Sequence, residues 1–257
     1  MLEDLKKNRL PIAASGLSNI HKSVISGALQ QHLNKKILLI ADDEASANLI
    51  TEDLLSLGIN ARNLPLRDYN LAKLKGVSKE YEHKRIDTLS KVLDGDFDVL
   101  TASVDACIQF TVPPEVLREN TFCVSVADTV DLSALGEKLV NAGYTRSELT
   151  EGPGHFSIRG GIIDIFPSNS PFPARIELWG DEVDSISYFD PLSQRRTEGI
   201  NILHIAPACE LPYNRETLGA TLNELIKSNK KFTDKQRAYI EQDINLLSGG
   251  VNIIADC

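Results

Sequence analysis

Residues 151–191, EGPGHFSIRGGIIDIFPSNSPFPARIELWGDEVDSISYFDP, limit what this chain can fold into more than any other stretch. They read as three consecutive strands. The first spans roughly 156–166 and passes through Gly160-Gly161, and a loop rich in Pro and Ser follows at 167–173. Residues 175–179 make the second strand, Gly180-Asp181 a turn, and 183–189 the third. Side chains alternate between the faces of a strand. Ile176 and Leu178 therefore share one face of the second strand, and Arg175, Glu177 and Trp179 the other. The sole tryptophan of 257 residues falls on a charged face. Arg and Trp are the residue types that dominate protein–protein hot spots, so this face is a candidate contact surface. The competing reading is an ordinary amphipathic edge strand, with Trp179 covered by a neighbouring loop.

The rest of the chain has two textures. Residues 36–41, KILLIA, form a continuous apolar run suited to a buried parallel strand. Before it, Ile20, Val24, Ala28 and Leu29 have helical spacing for one buried face. After it, Asp43 is an N-cap for a helix bearing Ala47, Ile50, Leu54 and Leu57, ended by Gly58. A strand at 59–64, a helix at 80–93, a strand at 97–102 and a short helix from Val104 continue the alternation. Such alternation predicts a doubly wound α/β layer. Pro113-Pro114 breaks it. A short strand in FCVSV, a helix at 133–142 and the three strands above then form an α+β unit. Helices follow at 217–228 and 233–247, then a strand-like run at 251–255. The boundaries read as 1–117, 118–206 and 207–257, the last returning to the first domain and ending inside a strand, as a truncated chain would.

Composition excludes several classes. A net charge of −9, and seven acids against two arginines in 151–191, oppose the clustered cations that duplex DNA requires. No run of about eighteen apolar residues exists to cross a membrane. Cys107, Cys123, Cys209 and Cys257 lie far apart, which argues against a zinc site and a disulfide framework and suits reduced thiols in cytosol. His21, His32, His83, His155 and His204 are scattered and read as surface or turn residues without metal spacing.

One stretch approaches an enzymatic motif. In GLSNIHKS, Gly16 is followed by four residues and then His21-Lys22-Ser23, where a phosphate-binding loop has Gly-Lys-Ser/Thr. The second glycine lets backbone approach phosphate, and His21 puts a β-carbon and a ring there. No acidic pair follows on a later apolar strand to hold magnesium. Gly16, His21, Lys22 and Ser23 form a degenerate P-loop or simply begin a helix.

GPGHFSIRGGIIDIFP followed by ARIELWGDEVDSISYFDP resembles the UvrA-binding module shared by the excision-repair protein UvrB and the bacterial transcription-repair coupling factor, Mfd. The match is dense over about forty positions. An intact P-loop and an aromatic-rich damage-gripping hairpin would accompany UvrB, yet residues 66–82 hold only Tyr69 and Tyr81. The chain is therefore similar to the N-terminal UvrB-like region of the coupling factor. That resemblance implies a degenerate RecA/helicase-like α/β domain, discontinuous, interrupted by an α+β UvrA-binding module. It implies a non-catalytic, cytoplasmic recruiter of UvrA to RNA polymerase stalled at damage. It places Arg159, Arg175 and Trp179 at the UvrA-contacting positions, with Trp179 where Phe is commoner and Glu177 set to orient Arg175. ATP, magnesium, RNA polymerase and DNA would engage regions of a longer protein. The alternative is a UvrB-type ATP-dependent damage-binding helicase subunit.

Overall fold

The computed structural model describes residues 7, 10–67, 79–210, 212, 215–229 and 231–248. By internal contacts the chain divides into two compact units, Met1–Asp68 with Thr88–Phe110, and Tyr69–Asp87 with Thr111–Cys257. The first break thus falls at 110/111 rather than 117/118, and the chain from 207 onward groups with the second unit.

In the first unit, α1 (Asn19–Leu33), β1 (Ile37–Ala41), α2 (Glu44–Ser56), β2 (Ala61–Leu64), the end of α3 (Glu80–Asp94), β3 (Val99–Ser103) and α4 (Val104–Cys107) alternate. Strands β1 and β2 both pair in parallel with the central β3. Asp43 caps α2, its carboxylate accepting from Ser46 N–H at 2.7 Å, and this bond holds its pKa below the usual range. Ala47, Ile50 and Leu54 pack with Ile59, Ala61 and Val99.

Two expectations are corrected here. Helix α1 buries Ser23 and Gly27, while Ile20, Val24 and Ala28 stay exposed. The small residues let α1 approach α2 and the segment after it: a β-carbon on Gly27 would sit 3.7 Å from Leu54 Cδ2 and 3.4 Å from Ile59 Cγ1. Strand β1 is parallel but lies at the sheet edge and leaves Leu38 and Ile40 exposed. It is not the strand buried on both faces that KILLIA suggests.

The second unit holds the start of α3, then α5 (Pro114–Glu119), β4 (Phe122–Ser125), α6 (Leu132–Asn141), β5 (Thr145–Arg146), β6 (His155–Arg159), β7 (Ile162–Ile165), β8 (Ala174–Trp179), β9 (Glu182–Phe189), β10 (Arg196–Ile200) and β11 (Ile202–Ile205). Helices α7 (Arg215–Ser228) and α8 (Asp234–Ser248) complete it. Strands β5 to β10 form one six-stranded sheet in chain order, and β11 pairs with β4. Ile163, Ile165, Ile176 and Ile186 project from one face of that sheet into a core with Leu135, Leu139, Val124, Leu203 and Ile205.

The strand expected to run from 156 to 166 is a hairpin, β6–β7, turned by Gly160-Gly161. Gly160 has φ +58°, a conformation that glycine adopts without a steric penalty. Gly161 packs so closely that a β-carbon there would lie 3.2 Å from the Leu178 carbonyl oxygen. The turn reverses the chain and sets Asp164 opposite Ser157 on one side and Arg175 on the other.

His83 is a further correction: it is buried, with its Nε2 3.2 Å from the Ala208 carbonyl oxygen. Burial pushes its pKa down to about 4. Beside it, Arg85 and Glu210 form a buried ion pair. The run at 251–255, Cys257 and most of the segment 66–82 lie outside the described residues.

Candidate protein-interaction site

The face of the six-stranded sheet away from the core is built around one buried carboxylate. Asp164, on β7, is only 1% exposed. Its Oδ1 accepts from Arg175 Nε at 2.7 Å and its Oδ2 from Arg175 Nη2 at 2.9 Å, a two-pronged pair. Arg159, at the end of β6, donates from Nη2 to the same Oδ2 at 2.7 Å. Three charge-assisted hydrogen bonds from two strands thus satisfy a carboxylate that burial alone would penalise.

Arg175 is fixed from the other side as well. Its Nη2 also donates to Gln194 Oε1 at 3.2 Å, and its guanidinium lies 4.8 Å from the centre of the Phe189 ring. The Asp164 hydrogen bonds raise its pKa above the ordinary arginine value. Its side chain is 16% exposed, against 50% for Arg159. The Nε and Nη2 N–H groups of Arg175 therefore face Asp164 within the chain. Nη1 of Arg175, and Nε and Nη1 of Arg159, have no partner among the described residues.

Glu177 does not orient Arg175 by a hydrogen bond. Its Oε2 accepts from Ser185 Oγ on the adjacent β9, and its Oε1 from Arg196 Nη2 on β10, one strand further on. Trp179, at the end of the same strand, is 85% exposed. The strand is interior, paired with β7 and β9 on either side, so the edge-strand reading fails. Among the described residues no loop covers the indole. Arg175, Glu177 and Trp179 alternate with Ile176 and Leu178, as the spacing predicts. The register slip beside them falls between Glu177 and Leu178 in the pairing with β9, where Asp184 is the extra residue, so their alternation is kept.

Asp164, Gln194, Phe189 and Arg196 are the parts of this face that the sequence reading missed. Asp164 was within reach of it. Treating Gly160-Gly161 as a two-residue turn puts Ser157 opposite Asp164, and the next hairpin brings Arg175 beside it.

The residues read from the sequence as a degenerate P-loop lie at the start of α1, where they bond to Ser18, Asn19 and, in α2, Asp53. Gly16 has φ +76°. Ser18 caps the helix, and His21 reaches back, its Nδ1 accepting from the Ser18 backbone N–H at 3.2 Å. Lys22 Nζ donates to Asn19 Oδ1 at 3.3 Å. Ser23 is buried, its Oγ donating to the Asn19 carbonyl and lying 3.1 Å from Asp53 Oδ2. Among the described residues no group of three or more His, Cys, Asp or Glu is placed to hold a metal ion. No described helix is long and apolar enough to cross a membrane.

Comparison with known proteins places a family match inside the second unit. The family described as the UvrB interaction domain matches residues 123–211. A transcription-repair-coupling factor of Bacillus subtilis (strain 168) is 34% identical over 251 residues, 95% of this chain and 21% of that protein. Those of Staphylococcus aureus (strain USA300) and Staphylococcus epidermidis (strain RP62A) are 30% and 28% identical over 90% and 91% of the chain. The chain spans about a fifth of the length of these relatives. Residues 123–211 thus match the UvrB interaction domain, and nine-tenths or more of the chain is similar to a part of the transcription-repair-coupling factors.

Proposed function

We propose that this chain is a non-catalytic UvrA-recruiting module of a transcription-repair coupling factor. The observation that carries the reading is the outward face of β8 within the matched domain. It presents a tryptophan that is 85% exposed and, four positions earlier on the same strand, Arg175, which shares Asp164 with Arg159 of β6. A large rigid aromatic next to directed cations suits a protein surface bearing carboxylates. Arg159, Arg175 and Trp179 are the contacts, and Glu177, paired with Arg196, adds a polar group to the same face of β8.

The parallel unit is the first part of a degenerate RecA/helicase-like domain. Its parallel strands and the loop-to-helix start at Gly16 support that assignment. RNA polymerase, DNA, ATP and magnesium belong to other regions of a longer, cytoplasmic protein that carries the translocase. The UvrB-type helicase reading is disfavoured by one feature: His21 is the N-terminal capping partner of α1, in the space that phosphate takes in a P-loop. The test is direct binding of purified UvrA to the whole chain. Saturable binding that Trp179→Ala weakens supports the proposal, and absence of binding to the unaltered chain overturns it.

A further inference from the structure

We propose that Asp164 is a positioning residue for partner binding: it never touches the partner, but fixes the two arginines that do. The proposal rests on the reading of this face as the UvrA contact. Asp164 is 1% exposed and lies beneath both guanidinium groups, so a partner cannot reach it.

Its effect follows from geometry and charge. Arg159 and Arg175 come from different strands, and like charges brought together repel. The one carboxylate neutralises that repulsion and takes a hydrogen bond from each arginine at 2.7 Å. With Nε and Nη2 of Arg175 held on Asp164, the planar group has a single orientation, and Nη1 is the donor left over. Gln194, which accepts from the same Nη2, and the Phe189 ring add two further restraints on the guanidinium. Two long, flexible side chains are therefore ordered before the partner arrives, and binding does not have to order them. Lysine at 175 would keep the charge but could not form the fork.

The experiment measures UvrA affinity and thermal stability of the whole chain with Asp164→Asn, alone and combined with Arg175→Ala or with Trp179→Ala. Asparagine keeps the shape, removes the charge and turns an N–H toward one of the arginines. A loss of about tenfold or more in affinity is expected from the single change. Because Asp164 acts through Arg175, the loss should shrink in the Arg175→Ala background and stay whole in the Trp179→Ala background. A merely structural role would lower affinity equally in both backgrounds, and that result overturns the proposal. Unchanged or tighter UvrA binding by Asp164→Asn overturns it too, since arginines released from Asp164 would then bind as well or better.

Arg175→Lys covers the case in which Asp164→Asn does not fold. It is expected to lose affinity nearly as far as Arg175→Ala, and retention of full affinity would sink the idea. Binding of the unaltered chain is the separate control. If UvrA does not bind it, the functional reading fails. If UvrA binds it and these variants behave like the unaltered chain, only the role of Asp164 fails.

Discussion

Arg85 and Glu210, 125 residues apart in sequence, meet in a two-pronged ion pair with neither side chain exposed to solvent. Arg85 Nε donates to Glu210 Oε2 at 2.9 Å and Nη2 to Oε1 at 3.0 Å, while Glu82 accepts from the Glu210 backbone N–H at 2.8 Å. The start of α3 is thereby fastened to the segment after β11. Removing one partner leaves the other buried without this fork of charge-assisted hydrogen bonds. Arg85→Ala is expected to cost about 3–5 kcal/mol of stability, read as a large fall in Tm. Replacing both residues by apolar ones of similar size should cost far less. A Tm for Arg85→Ala within a degree or two of the parent would contradict the pairing.

Trp179 and Arg175 should separate in their response to truncation. Trp179→Ala removes an exposed ring and should leave Tm almost unmoved, while weakening UvrA binding by ~2 kcal/mol or more, roughly thirtyfold. Arg175→Ala should do both, because Asp164 is then left buried with Arg159 alone. About 1–3 kcal/mol of stability is expected to go with it. Melting curves and UvrA titrations on the same two preparations decide the matter.

His83 gives stability a pH dependence whose sign is fixed. Its folded pKa, about 4, is below the ordinary 6.5 because burial disfavours the charged imidazolium. The unfolded chain therefore takes up the proton first as pH falls. The contribution is whole above about 6.5, declines through the window below it, and is lost at about 4, on the order of 3 kcal/mol in all. Between pH 6.5 and 5 carboxylates titrate little, so the slope there belongs largely to histidine. Denaturant melts of His83→Gln should show a flatter profile in that interval. An unchanged slope would mean that His83 is solvated.

Nucleotide binding makes a further test. His21 bonds back to the Ser18 cap of α1, and the Ser23 hydroxyl is buried against Asp53 rather than open to a magnesium ion. Titration of the chain with Mg-ATP is expected to give no saturable heat. A micromolar isotherm abolished by Lys22→Ala would refute this.

What was legible in the sequence was local. Asp43 announced α2 because capping needs only residues three positions apart, and Arg175, Glu177 and Trp179 shared a face because strand alternation is strict. The interior of β1 misled, since an apolar run does not say whether a second layer covers it. Helix α1 misled differently: its buried face is Ser23 and Gly27, where smallness rather than hydrophobicity allowed close approach. Arg85–Glu210 and the site of His83 depend on residues more than a hundred positions apart, which no local pattern encodes. In the candidate site, the arginines and the tryptophan were visible and the carboxylate between them was not. The missing step was reading Gly160-Gly161 as a reversal.

The exposure of Trp179 makes this protein its own optical probe. With one indole in the sequence, the emission excited at the red edge of protein absorption comes from a single point on the β8 face. In the free chain that emission should be red-shifted, as in water, and readily quenched by iodide or acrylamide. Docking that covers the ring would shift it to shorter wavelength and shield it from the quencher. Whether the face is open or occluded can then be followed in real time, without a label and without altering a residue.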